Sequence, residues 1–134
     1  MIRSGCRRLL GAERGSSTIE AMLIVPVFFF GSLFVVQLAM GWLATNVAEA
    51  AARQGLHAAT VYLGSDDAGR EQAQGYLDAV APHLLAAAQV EVTRTGATVT
   101  VRVQGPVPAI LPWPHARADA SASGPVERFA AGTT

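Results

Sequence analysis

The chain has 134 residues, with ten Arg, no Lys and ten acidic residues, so it is formally neutral. Apolar residues make up 51% and charged residues 15%, against roughly 25% charged in ordinary soluble domains. The neutral balance excludes the basic surplus that nucleic-acid binding needs, and the lone Cys6 excludes an internal disulfide framework or a Cys-cluster zinc site.

The charges are unevenly placed. Arg3, Arg7, Arg8 and Arg14 face a single acid, Glu13, in residues 1–15, and there is no charge at all between Glu20 and Glu49. Residues 21–44 are apolar apart from Ser32 and Gln37. A helix of this length rises about 36 Å, enough for a hydrocarbon core of about 30 Å. In lipid each backbone N–H and C=O must be satisfied internally, so a single span is helical. The Arg-rich side comes first, which predicts a cytoplasmic N-terminus and an extracytoplasmic C-terminal part. Trp42 falls near the outer end, where an interfacial indole is favourable. A cleaved secretory signal has an apolar region of only about 7–15 residues, although Ala48-Glu49-Ala50 mimics its small-x-small cleavage site. A plain signal anchor, with membrane lipid as its surroundings, fits the length equally well.

The junction Arg14-Gly15-Ser16-Ser17-Thr18-Ile19-Glu20 leads straight into the apolar run. Ser17-x-x-Glu20 has the form of a capping box, with Ser17 as N-cap. Gly15 has no Cβ, so an extended backbone at this point enters a narrow site without a clash. A carboxylate at the mouth of an apolar run, as Glu20 is, is costly unless paired. Pro26 lies inside the run, where its ring removes one helix hydrogen bond.

Beyond the span, Asn46, Glu49, Arg53, His57 and Thr60 recur at steps of three and four, predicting a polar stripe on a helix that continues to about Leu63. Glu49 and Arg53 form a supporting i,i+4 pair. The other faces carry Val47, Ala48, Ala51, Ala52, Gly55, Leu56, Ala59 and Leu63. Ala51, Gly55 and Ala59 are small enough for close backbone approach. They suit packing against other subunits or against the chain's own outer part.

The basic leader, Gly15, the acid five positions later, the span and the Ala-rich stretch from Asn46 to Ala59 together resemble the TadE-like family. Its members are minor pilins or pseudopilins of tight-adherence pili. The resemblance implies a prepilin peptidase that cuts between Gly15 and Ser16, leaving Glu20 as the fifth mature residue. It implies that Glu20 sets register against the free amine of a neighbouring subunit. The partners it implies are other pilin-like subunits and the pilus assembly machinery. Ala21 departs from the pattern, since many relatives place Phe after the acid. The alternative is a signal-anchored extracytoplasmic binding or scaffold protein unrelated to pili.

In the outer part, Gly64-Ser65-Asp66-Asp67 breaks the first helix and caps a second. That helix has an apolar stripe of Ala73, Leu77, Val80 and Leu84, and Gly75 and Pro82 predict that it is bent or broken and ends near Ala88. From Gln89 the period becomes two. Val90 and Val92, a turn at Thr95-Gly96, then Val99, Val101 and Val103 predict a hairpin. Residues 116–123 predict a third strand with Ala116, Ala118, Ala120 and Ala122 on one face, thin enough for a helix to lie close. The Pro-rich connector 105–114 reads as a flap over the sheet edge or a partner-contacting loop, and residues 124–134 as a flexible tail.

The expected fold class is α+β: a leader (1–15), a transmembrane and extended helix (16–63), a small extracytoplasmic domain (64–123) and the tail. The domain is expected to hold the second helix and a three-stranded antiparallel sheet. No catalytic motif, metal-ligand cluster or cofactor-binding pattern is present in the sequence. His57, His83 and His115 are isolated, and Asp66-Asp67 reads as a helix start. The chain is therefore expected to be no enzyme and to need no cofactor.

Overall fold

A computed structural model of the chain describes residues 13–61, 63–112 and 115–127. Its elements run α1 (Glu13–Thr60), α2 (Asp66–Val80), β1 (Gln89–Thr95), β2 (Thr98–Pro106) and β3 (Arg117–Pro125), an α+β order. Contacts divide the chain into two compact units between Val36 and Gln37.

In the first unit α1 is apolar all round. Met22, Leu23, Val25, Phe28, Phe29, Phe30 and Val35 are all exposed. A helix without a polar face satisfies its environment only in lipid or inside a larger protein. From Thr18 onward α1 is long and apolar enough to cross a membrane. Ser32 keeps its hydroxyl satisfied within the helix by donating to the Phe28 carbonyl at 2.8 Å. Pro26 is accommodated inside the helix. Because α1 starts at Glu13, Ser17 is an interior helical residue and not the N-cap that the capping-box pattern predicts.

The second unit is built on the outer part of α1. Ala44, Ala48, Ala51, Ala52 and Ala59 are fully buried along one face. The opposite side carries the expected polar stripe, on which Arg53 donates to Glu49. α1 ends at Thr60, earlier than expected. Leu63 has a φ of 65° and is 87% exposed, so it belongs to the turn and not to the apolar face. Ser65 caps α2 by accepting from the Ala68 N–H at 3.0 Å.

α2 is a regular helix through Gly75 and stops at Val80, short of the expected Ala88. Ala81 leaves helical geometry (φ −146°, ψ 57°), which suits the residue before Pro82. Its buried stripe is Gly69, Ala73 and Leu77, and it continues through Ala81 and Leu85 in the turns that follow. Val80, expected on that stripe, is exposed.

The sheet is antiparallel in the order β1-β2-β3. Val92 pairs with Val101, and Val101 with Ala122. The two-residue connection of β1 to β2 uses Gly96 at φ 60°, where a side chain would be strained. Val99, Val101 and Val103 are fully buried on the inner face. The alanine face of β3 is covered closely, as its thinness predicts, but α1 as well as α2 lies over the sheet. Leu56 of α1 stands against Gly124, and Gly55 against Val101. β3 runs to Pro125, and Val126 and Glu127 are also fixed, donating to Ala97 at 2.7 Å and Thr60 at 3.1 Å. These residues therefore belong to the fold and not to a flexible tail. Residues 128–134 lie outside the described residues.

On the outer face Arg102 pairs diagonally with Asp119, its Nε donating at 3.0 Å. That hydrogen bond is the main cause holding the Asp119 carboxyl below its usual range. Desolvation opposes it, and the charges of Arg102 and Arg117 assist it.

Candidate functional site

The junction residues lie at the start of α1. Gly15 and Ser16 are helical in backbone, and Glu20 sits five residues after Gly15 with its side chain exposed. The rest of the leader, including Cys6, lies outside the described residues. Beyond Glu20 the helix face offers no further charge until Glu49. A carboxylate so placed has its nearest favourable environment at the membrane edge or on another chain.

The small residues of α1 form a close helix crossing within the second unit. A Cβ built on Gly55 would stand 2.7 Å from the Gly69 carbonyl oxygen, 3.0 Å from the Ala73 Cβ and 3.2 Å from the Val101 Cγ1. One built on Gly69 would stand 2.8 Å from the Ala59 Cβ and 2.9 Å from the Gly55 carbonyl oxygen. Gly55 and Ala59 on α1 thus meet Gly69 and Ala73 on α2, a small-x-x-x-small pair on each helix. Ala51 is buried one turn earlier on the same face. The structure therefore places Ala51, Gly55 and Ala59 in packing within the chain. Pro26 lies apart from them, on the exposed apolar stretch of α1.

Arg94 of β1 fastens the two helix ends. Its Nε and Nη2 donate to Asp66 Oδ1 at 2.9 and 2.6 Å, and Nη2 also donates to the Ala59 carbonyl at 3.3 Å. A cation at the C-terminus of α1 and an acid in the first turn of α2 both oppose the local helix dipole favourably.

Gln37 is the residue that the sequence understates. In the apolar run it reads as an interruption, yet it is 3% exposed. Its Nε2 donates to the Pro108 carbonyl at 3.3 Å, and its Oε1 accepts from the Ile110 N–H at 2.8 Å. One side-chain amide therefore holds the connector against α1 by both backbone functions. The base of that loop is closed where the Val107 N–H donates to the Ala116 carbonyl at 3.0 Å. The connector is thus anchored to α1. The signal available in the sequence was the amide itself, since a polar group in an apolar run requires a partner.

Gln37→Leu is expected to leave the Ile110 N–H and the Pro108 carbonyl without that partner, at a cost of about 1–3 kcal/mol for each group that stays buried. Amide hydrogen exchange at Ile110 should speed up at least tenfold. Gln37→Glu keeps the acceptor and should preserve most of the protection at Ile110. Equal exchange in the Gln37→Leu chain and the parent would show that the amide does not hold the loop.

Among the described residues, no group of three or more His, Cys, Asp or Glu side chains could hold a metal ion. His57, His83 and His115 are exposed and far apart in sequence. No curated protein and no solved structure matches the chain significantly. Residues 15–57 match the model of the TadE-like protein family, a stretch that runs from the glycine of the junction to the polar stripe of α1.

Proposed function

We propose that the chain is a pilin-like structural or assembly component of a tight-adherence pilus, processed by a prepilin peptidase after Gly15. The observation that carries this reading is the exposed, charge-free helical stretch that begins directly after Gly15–Glu20, within the segment that matches the TadE-like family. Cleavage turns a membrane-anchored chain into a subunit whose amino end begins at Ser16. Its N-terminus faces the cytoplasm, and its second unit lies outside the membrane. A peptidase that takes an extended backbone requires the first turn of α1 to unwind. A glycine followed by two serines makes that inexpensive, since all three are weak helix formers. The work of the mature chain is non-enzymatic: Glu20 sets register against the new amine of a neighbouring subunit, and the apolar helix packs among others or in lipid.

N-terminal sequencing of the protein isolated from its own cells tests this. A start at Ser16 is expected. An intact Met1 would replace the reading with that of a signal-anchored extracytoplasmic binding or scaffold protein. A start at Ala51 would mean ordinary secretion.

A further inference from the structure

We propose that the connector loop between β2 and β3 is a membrane-contacting loop that seats the second unit on the outer bilayer interface. The inference rests on the reading of α1 as a membrane span. From Glu20 to Gln37 a helix rises about 26 Å, close to the roughly 30 Å of a hydrocarbon core. Gln37 therefore stands where the acyl region gives way to headgroups. The loop is fixed at that level by the two hydrogen bonds of the Gln37 amide. It carries no charge from Gly105 to Pro112, and Ile110 is 47% exposed on it.

The faces of α1 that the loop leaves free are also apolar at this level. Leu38, Trp42 and Leu43 are 57%, 72% and 50% exposed. The helix and loop together form an apolar collar that is continuous along the chain with the lipid-facing stretch. A Trp on that collar suits the interface, where its ring is shared between lipid and headgroup. The opposite end of β2 has the contrary character. The Gly96–Ala97 turn is flanked by Thr95 and Thr98 and lies beside Arg94, as befits an end in water. Continuity with the span selects lipid as the occupant of the collar over a second copy of the chain. The buried amide explains how an uncharged loop is held at a fixed depth without an anchoring charge.

The test uses the full chain in phosphatidylcholine liposomes, with Cys6→Ser and a single new cysteine carrying an environment-sensitive fluorophore. The new cysteine is placed by Ile110→Cys, Phe29→Cys or Ala97→Cys. Nitroxide-bearing lipids quench at either the headgroup or the bilayer centre. The Ile110 position should be quenched at least twofold, most strongly by the shallow nitroxide. The Phe29 position should be quenched by the deep one, and the Ala97 position by neither. An Ile110 label that behaves like the Ala97 label, while Phe29 is quenched, overturns the loop inference and leaves the span intact. Loss of quenching at Phe29 as well overturns the span itself. A blue-shifted but unquenched label at Ile110 means that protein covers the collar, which overturns lipid as its occupant.

Discussion

A Gly55→Leu chain is expected to lose the cooperative unfolding transition of the second unit, a destabilisation of more than about 3 kcal/mol. The first added atom already meets a backbone carbonyl, that of Gly69, at 2.7 Å, with Ala73 and Val101 close behind. A flexible side chain in that position would swing away, whereas a helical carbonyl moves only with its helix. A leucine therefore forces α1 away from α2 and from β2, and uncovers the alanine face that the crossing buries. The unit has little to offset such a loss. Its largest fully buried side chains are Leu77, Val99, Val101 and Val103. A unit of this size typically holds only about 5–15 kcal/mol of stability. Gly55→Ala should be milder, since the better helix propensity of alanine, worth about 1 kcal/mol, offsets part of the crowding. Gly75 provides the control, because nothing lies within 4 Å of a Cβ built there. Gly75→Ala should leave the transition in place or raise it slightly. Near-ultraviolet circular dichroism on heating measures all three. An unchanged melt for Gly55→Leu would mean that the helices do not cross this closely.

The second large effect is expected at Glu20. Glu20→Ala should still be trimmed to Ser16, yet its recovery in assemblies with other pilus subunits should fall at least tenfold. Gly15→Leu should fail earlier, with its leader retained and no incorporation. The two variants separate cutting from joining. On the proposed reading, cutting needs a backbone free of a Cβ at position 15, whereas joining needs a charge at position 20 for an incoming amine. A carboxylate drawn from the membrane edge into the apolar region is costly unless paired, so on the proposed reading a neighbour's amine would satisfy it and set register. The mature N-terminus of each variant, read by mass spectrometry, and co-purification with the other subunits give the two measurements. Normal incorporation of Glu20→Ala would remove the register role. Normal incorporation of uncut Gly15→Leu would remove the need for processing.

Much of this architecture is legible in residue order because it follows from local periodicity. The uncharged run, the polar stripe from Asn46 to Thr60 and the alternating valines of β1 and β2 each declare an element and its buried face. What periodicity does not declare is which face meets which. Gly55 and Gly69 look like ordinary weak points of two helices until their backbones are brought together. Val80 fits a stripe by count, but as the last residue of α2 it is exposed, and burial passes to Ala81 and Leu85 in the turns that follow. Gln37 is the clearest case. Its partners, Pro108 and Ile110, lie more than seventy residues away, and nothing in the apolar run around it names them.

The backbone bond that holds Glu127 has a practical side. The Glu127 N–H is bound to Thr60, at the far end of α1 from the Gln37 contact. Twenty-three helical residues separate those two points, a rise of about 34 Å. Glu127, the last described residue, therefore stands at the pole of the second unit opposite the Gln37 contact. A reporter attached at Glu127→Cys would therefore leave the loop that Gln37 holds untouched.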